Sequence, residues 1–352
     1  MAHPRLNGSP ANTDDGGDTT ACRPHPPKSG PEGRAAFAAG VLADPSIAAL
    51  VRVEKLSERF VEVPDTARVD RAVNYLIARS IRVDGEGNLL EGRNIRLVAP
   101  TGGGKTKQIK RSLKRFEGKV PPKSIVYVSL PGRCLLRQFG EALLAELSPH
   151  EGPYKEISDT FNAVHRALRS LNVVVVVIEE FRNIALSGNK VDVAGFITTI
   201  KGLNQLRGNP ISTVLTGVPE VVAIGSTDQE FRRRTHTVRL RSMDERSAAR
   251  VDQMIEAAAQ LNGASLDSSI EGMQVAKRLI HASAGATGTL IEQIDAAIER
   301  AVLGSIRSGH RRTLSIEHFA EGYADWSGAN DDRTNPFMMD RFRLVAPYGD
   351  DQ

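Results

Sequence analysis

Ala99-Pro-Thr-Gly-Gly-Gly-Lys-Thr106 is the stretch on which the fold turns. The usual phosphate-binding loop reads G-x-x-x-x-G-K-[ST]. Here Ala99 stands in the first glycine's place, Pro100 and Thr101 follow, and Gly104, Lys105 and Thr106 keep their positions. The chemistry explains the residue types. Gly102, Gly103 and Gly104 let successive backbone N–H groups turn toward phosphate oxygens with no Cβ in the way. A helix leaving the loop adds its positive N-terminal end. Lys105 is spaced to reach the β- and γ-phosphates, and the Thr106 hydroxyl to ligate Mg²⁺. The flanks fit: Asn94–Ala99, NIRLVA, is a short apolar strand, and a helix is predicted from Lys105 to Phe116. A glycine-rich turn that merely precedes a lysine would not require this strand-in, helix-out setting. The loop therefore implies ATP and Mg²⁺ as ligands.

The unbroken run Val173-Val-Val-Val-Val-Ile178 does not alternate, which marks a strand buried on both faces at the centre of a parallel sheet. Glu179 and Glu180 follow at once. Acids at the carboxyl edge of such a sheet stand where α/β sheets bind ligands. One is placed to hold Mg²⁺ and the next to polarise an attacking water. This is the Walker B pattern, hhhhDE, with Glu179 where Asp is usual and Glu180 in the catalytic position.

Further strands are predicted at 124–130, 211–216 and 237–240. Helices are predicted at 133–147, from a Ser158 cap onward, and at 191–206. Strands and helices alternate, as in a parallel α/β domain. After Leu240 the pattern becomes helical. Ser242-Met-Asp-Glu245 reads as a capping box opening a helix that stops at Asn262-Gly263, and helical periods recur at 269–281, 287–306 and 315–324. The expected organisation is a disordered tail (1–35), a helical lead-in (36–90), an α/β nucleotide-binding domain (91–240), a small all-helical lid (241–325) and an irregular tail (326–352).

Composition excludes other classes. The chain has 352 residues, 40% hydrophobic and 25% charged, with a formal charge of +4, as expected for a globular protein of two modest domains. Its two cysteines, Cys22 and Cys134, make neither a disulfide framework nor a metal-ligand spacing. The longest apolar run is far below the roughly 20 residues a membrane span needs. The first residues do not pattern as a signal peptide. A cytoplasmic location is expected.

APTGGGKT, VVIEEFRNI, STVLTGVPE and EFRRRTHTVRL, in that order, resemble the TniB/TnsC transposition ATPases, AAA+ proteins of the initiator-like branch. The helical GATGTLIEQIDAAIERAV resembles their lid. The resemblance covers roughly residues 40–325. It implies a five-stranded P-loop sheet with nucleotide between subunits and ATP hydrolysis acting as a timer; Ala99 and Glu179, which depart from the usual motifs, point to slow hydrolysis. It further implies assembly on double-stranded DNA as a homo-oligomeric ring or helical filament. The implied partners are a transposase and a TniQ-type target-selection protein, with association to the bacterial nucleoid. In the AAA+ setting Thr216 takes the sensor 1 place. The run Arg232-Arg233-Arg234 offers an arginine finger, Arg234 first and Arg233 second. No sensor 2 arginine is evident in Gly285-Ala-Thr-Gly-Thr289.

Two other functions stay open on sequence. Ala99 and Glu179 suit a non-hydrolysing, nucleotide-gated DNA scaffold. An AAA+ replication initiator or signalling ATPase outside transposition would carry the same core. DNA contact would fall mainly to Lys and Arg on phosphates. By the resemblance Arg133 and Arg137 are placed to face DNA, and Lys190 is a third candidate. The basic face Lys107, Lys110, Arg111, Lys114 and Arg115 reads as solvent-exposed.

Overall fold

The computed structural model describes residues 31–152, 154–186 and 190–339. The chain divides into two units, Met1–Ala48 and Ala49–Gln352. In the first, Pro31–Val41 forms helix α1. That helix takes in residues expected to belong to the N-terminal tail; residues 1–30 of that tail lie outside the described residues. Helix α2 (Pro45–Arg52) begins after Asp44, whose carboxylate accepts the Ser46 N–H at 2.8 Å.

The rest of the chain is built around five parallel strands: β1 (Asn94–Val98), β2 (Ile125–Ser129), β3 (Val175–Glu179), β4 (Ser212–Gly217) and β5 (Thr235–Arg239). Their spatial order is β2-β3-β4-β1-β5. The helices between them are α3 (Thr66–Ser80), α4 (Lys105–Lys114), α5 (Leu136–Leu147), α6 (Ile157–Ser170), α7 (Arg182–Ala185), α8 (Lys190–Asn204) and α9 (Gln229–Arg234).

The unbroken valine run does what its pattern requires. On β3, Val176 and Ile178 enter an apolar core with Phe139, Leu168, Phe196 and Ile200, while Val175 and Val177 enter a second core with Val73, Ile109 and Leu113. Period-2 alternation sends neighbouring side chains to opposite faces. An all-apolar strand is thus stable only with helices on both sides. Covering the four β3 side chains removes them almost completely from water, at roughly 1.5–3 kcal/mol each.

Four further helices follow: α10 (Ala248–Leu261), α11 (Gln274–Ala282), α12 (Thr287–Ser308) and α13 (Ile316–Ser327). They share a third core, with Val251, Ile255, Leu279, Leu290, Ile294 and Ile298 at its centre. Helix α6 starts at Ile157 after Glu156, so Ser158 lies inside its first turn and is not its cap. Three details of the later helices also differ from the sequence reading. The capping box belongs to Asp244 and Ser247, one turn before α10, and not to Ser242. Ser265–Leu266 (β6) and Thr313–Leu314 (β7) pair as a short parallel ladder inside a region expected to be wholly helical. Phe337, in the stretch expected to be an irregular tail, is buried in this core, stacked on Phe319 at 5.7 Å; residues 340–352 lie outside the described residues. The lead-in also contributes to this core. Val53, Leu56 and Val63 pack into it, and Asp295 of α12 accepts the Leu56 and Ser57 N–H groups at 2.8 and 2.9 Å. No helix among the described residues is long and apolar enough to cross a membrane.

Candidate functional site

Parallel pairing brings the C-terminal ends of all five strands to one edge, and the loop Ala99–Gly104 leaves β1 there. Gly102 and Gly104 have φ of 72° and 81°, the left-handed region that glycine enters at least cost. A turn closes the loop, Gly103 N–H to Pro100 C=O at 3.0 Å. Ala99 does not prevent it: its methyl group lies beside Gly103, where a second Cβ would stand only 2.6 Å away. Helix α4 starts at Lys105 directly behind the loop, so its N-terminal N–H groups face the same space.

That space is a cleft of about 340 Å³, lined by Thr101–Gln108, Glu180, Arg182 and Val218 from the sheet domain. Thr287, Gly288, Ile291 and Glu292 of α12 form the wall opposite, and Ser57–Val63 supply residues to a third side. The α12 wall touches the loop directly: the Gly288 N–H donates to the Gly102 carbonyl at 2.5 Å. Lys105 Nζ donates to the Ala99 and Pro100 carbonyls at 3.0 and 2.9 Å. Burial depresses the Lys105 ammonium pKa below its ordinary value, partly offset by the Glu180 carboxylate. An anion entering the cleft would favour the charged form.

The two acids diverge. Glu179 ends β3, opposite Ser129. Its Oε1 is buried with no hydrogen-bond partner, and its Oε2 lies 4.0 Å from Lys110 Nζ. An orphaned carboxylate oxygen at the C-terminal end of β3 is chemically suited to a divalent cation, since Mg²⁺ is usually held by one or two carboxylates plus phosphate oxygens, although Glu179 is not among the residues that line the cleft. Glu180 is exposed, lines the cleft and has φ of 55°. A non-glycine residue held there is strained by roughly 1–3 kcal/mol, and the next residue maintains it: Phe181 is fully buried and donates its N–H to the Thr216 carbonyl at 2.9 Å.

Thr216 itself pairs with Leu97, one step inside the sheet, and is buried. The cleft wall at that strand end is Val218 rather than Thr216.

The arginine run separates by face. Arg234, the first choice from sequence, is 3% exposed and its Nη2 is held by Glu91 at 2.9 Å and Glu230 at 3.0 Å. Enclosed and doubly paired, it is not presented to a neighbouring molecule. Arg232 and Arg233 are exposed. Arg233 shares a groove with Arg71, Arg93 and His236, and the little of Arg234 that is exposed lines it too. The groove lies at the opposite sheet edge from the phosphate loop, since Thr235 pairs with Asn94 while Arg239 pairs with Val98. Four register steps at about 3.3 Å each separate these edges, so Arg233 does not serve the cleft of its own chain.

Among the DNA candidates, Arg133 is exposed in the loop after β2, with φ of 52°. That loop is tied to α7 by the Cys134 N–H to Asn183 C=O bond at 3.1 Å. Lys190 is exposed at the start of α8. Arg137 is different: its guanidinium donates to the Tyr154 carbonyl at 2.9 Å and to that of Lys155, and pairs with Glu141 at 3.4 Å. The α4 face is partly engaged, Arg111 and Arg115 with Asp70, and Arg111 over the Phe60 ring at 4.8 Å.

Sequence reasoning missed Arg182 and the wall from 57–63, and it singled out the start of α12 only as a lid segment without a sensor 2 arginine. Arg182 was visible as the second residue after Glu180; the 57–63 wall carries no local motif.

A family model described as "Bacterial TniB protein" matches residues 57–245, more than half of the chain. No curated protein matches. Among solved structures the chain is similar to Cdc6p from Pyrobaculum aerophilum, with 13% identity and a TM-score of 0.57 over 78% of this chain and 69% of that one. It is likewise similar to the Aeropyrum pernix ORC1 protein in complex with DNA, at 14% identity and 0.53 over 79% and 68%. The A. pernix ORC2 protein in ADPNP–ADP complexes matches at 14% and 0.52 over 78% and 72%. At such identities the likeness is one of fold, and the fold is that of the P-loop AAA+ ATPases.

Proposed function

The chain belongs to the bacterial TniB family, and on that premise we propose that it is an ATP-dependent regulator of DNA transposition, assembling on double-stranded DNA and engaging a transposase, with hydrolysis as its timer. The observation that carries this reading is the convergence of the phosphate loop, Glu180 and the N-terminus of α12 on one cleft.

In this reading Lys105 exchanges its two loop carbonyls for the β- and γ-phosphates of ATP. Thr106 and Glu179 would hold Mg²⁺, which would supply positive charge to offset that of the phosphates. Glu180 orients the attacking water and takes its proton, its strained backbone directing the carboxylate into the cleft. Thr216 acts as a positioning residue through its carbonyl on Phe181. Arg233 reaches the nucleotide of a neighbouring subunit, so full activity requires a homo-oligomeric ring or filament. DNA phosphates meet Arg133 and Lys190 on the strand-end face; Arg137 contributes after release from the 154–155 carbonyls. A TniQ-type protein is the expected source of target choice.

Binding of a labelled duplex across a salt series tests the proposal. ATP should be required, and affinity should fall steeply with salt as phosphate counterions are released. Lys105→Ala should abolish the nucleotide dependence. Equal binding with ADP and ATP, or a flat salt response, would refute it.

A further inference from the structure

We infer that Arg182 is a catalytic residue acting within its own subunit, contacting the γ-phosphate of the ATP that the same chain binds; this rests on the nucleotide reading of the cleft given above. Phosphoryl transfer spreads negative charge over the transferred group, and fixed positive charge there is the main contribution a protein makes. The cleft is poor in such charge on the α12 side: that wall contributes Thr287, Gly288, Ile291 and the acidic Glu292, with no lysine or arginine. Arg182 lines the same cleft from the opposite side, together with Glu180 and Lys105.

Its position is set by fixed neighbours. The chain turns sharply at Glu180 (φ 55°), Phe181 is fully buried, and Asn183 is pinned by its own N–H to the Glu180 carbonyl at 2.9 Å and by its amide Nδ2 to the Leu130 carbonyl at 3.0 Å. Arg182 therefore stands on a rigid corner, with its side chain exposed. Among the described residues no acid forms an ion pair with it, unlike Arg234 with Glu91 and Glu230. A guanidinium on that corner can donate two parallel N–H bonds to phosphate oxygens.

The step is ordinary hydrolysis. A water oxygen forms a bond to the γ-phosphorus as the bond to the β,γ-bridging oxygen breaks. The electron pair leaves with ADP, and the water proton passes to Glu180. Arg182 stabilises the charge on the equatorial γ-oxygens during this exchange.

The test uses the full chain on duplex DNA. Arg182→Ala should lower kcat by about 10²–10³-fold, the loss seen when one preorganised donor to a developing charge is removed. It should weaken binding of a non-hydrolysable ATP analogue but leave ADP affinity unchanged, because only the γ-phosphate is met. Arg182→Lys should recover part of the rate, and both variants should melt with the parent, the side chain being exposed. Mixing Arg182→Ala with Glu180→Gln subunits should restore nothing, because no site in the mixture then holds both groups. Wild-type kcat in Arg182→Ala, an equal loss of ADP and ATP-analogue affinity, or recovery of activity on mixing would overturn the assignment. If Lys105→Ala binds the ATP analogue like the parent, the nucleotide reading itself fails; if Lys105→Ala fails to bind while Arg182→Ala behaves as wild type, only the role of Arg182 falls.

Discussion

Replacing Gly288 by alanine adds one methyl group at the point where α12 meets the phosphate loop. A Cβ built there would stand 2.4 Å from the Gly102 carbonyl oxygen and 3.2 Å from its carbon. Both are backbone atoms of a tight loop, so neither can rotate away as a side chain would. Real Cβ contacts are almost never shorter than 3.0 Å, so α12 and the loop must separate by at least 0.6 Å (3.0 less 2.4). Overpacking of this kind costs about 1–3 kcal/mol. The helix itself should not suffer, since alanine is preferred to glycine by up to about 1 kcal/mol in helices. The cost therefore falls on closure of the cleft, and nucleotide affinity should weaken by about 5- to 140-fold at 1.4 kcal/mol per decade, with no drop in melting temperature. Gly304→Ala is the matched control: it lies on the same helix, and the nearest atom to its added Cβ, His318 Nε2, is 3.8 Å away. It should raise stability slightly and leave nucleotide affinity alone. Titration with a fluorescent ATP analogue beside thermal melts separates the two. Unchanged affinity in Gly288→Ala would refute the view that α12 closes the nucleotide site.

Arg233→Ala should bind ATP but hydrolyse it poorly, Glu180→Gln should be inactive on its own, and mixing the two on DNA should recover turnover; a mixture that stays inactive although mixed oligomers form would remove Arg233 as a shared finger. Asp65 gives a pH signature: burial works to raise its carboxyl pKa, but hydrogen bonds from the Arg241 N–H and guanidinium and from Arg68 outweigh it and hold the pKa below the ordinary aspartate value. A depressed folded pKa contributes stability above the unfolded value near 3.9 and loses it as pH falls through the folded value. Asp65→Asn should thus cost about 1–2 kcal/mol at pH 7, discounted for the exposed Arg241, and the gap to the parent should close below about pH 4 in urea melts. Burial pushes the Cys134 thiol pKa up to about 11, so a maleimide at pH 7.5 should leave it unlabelled until the chain is unfolded; prompt labelling of Cys134 in the native protein would show that its pocket opens.

What could be read from sequence was local. The phosphate loop is a set of adjacent residues whose shape depends on their own backbone freedom, so Gly102, Gly104, Lys105 and Thr106 announce it. The valine run announces a central strand because no polar face remains to be solvated. The order of strand, loop, strand and acids put Glu179 and Glu180 at the C-terminal end of β3, where Glu180 lines the cleft and Glu179 is not among its lining residues. Tertiary structure decided what these patterns leave equal. Arg232, Arg233 and Arg234 are chemically alike in sequence; which is enclosed depends on the rotation of α9 and on Glu91, which lies 143 positions before Arg234 in the chain. Thr216 and Val218 are two residues apart, and only the register of β4 on β1 puts one inside the sheet and the other on the wall. The walls from 57–63 and 287–292 meet because Asp295 grips the backbone of Leu56 and Ser57 across more than 230 residues. A contact of that span leaves no periodicity or motif at either end, because its energy belongs to the pair and to neither segment alone.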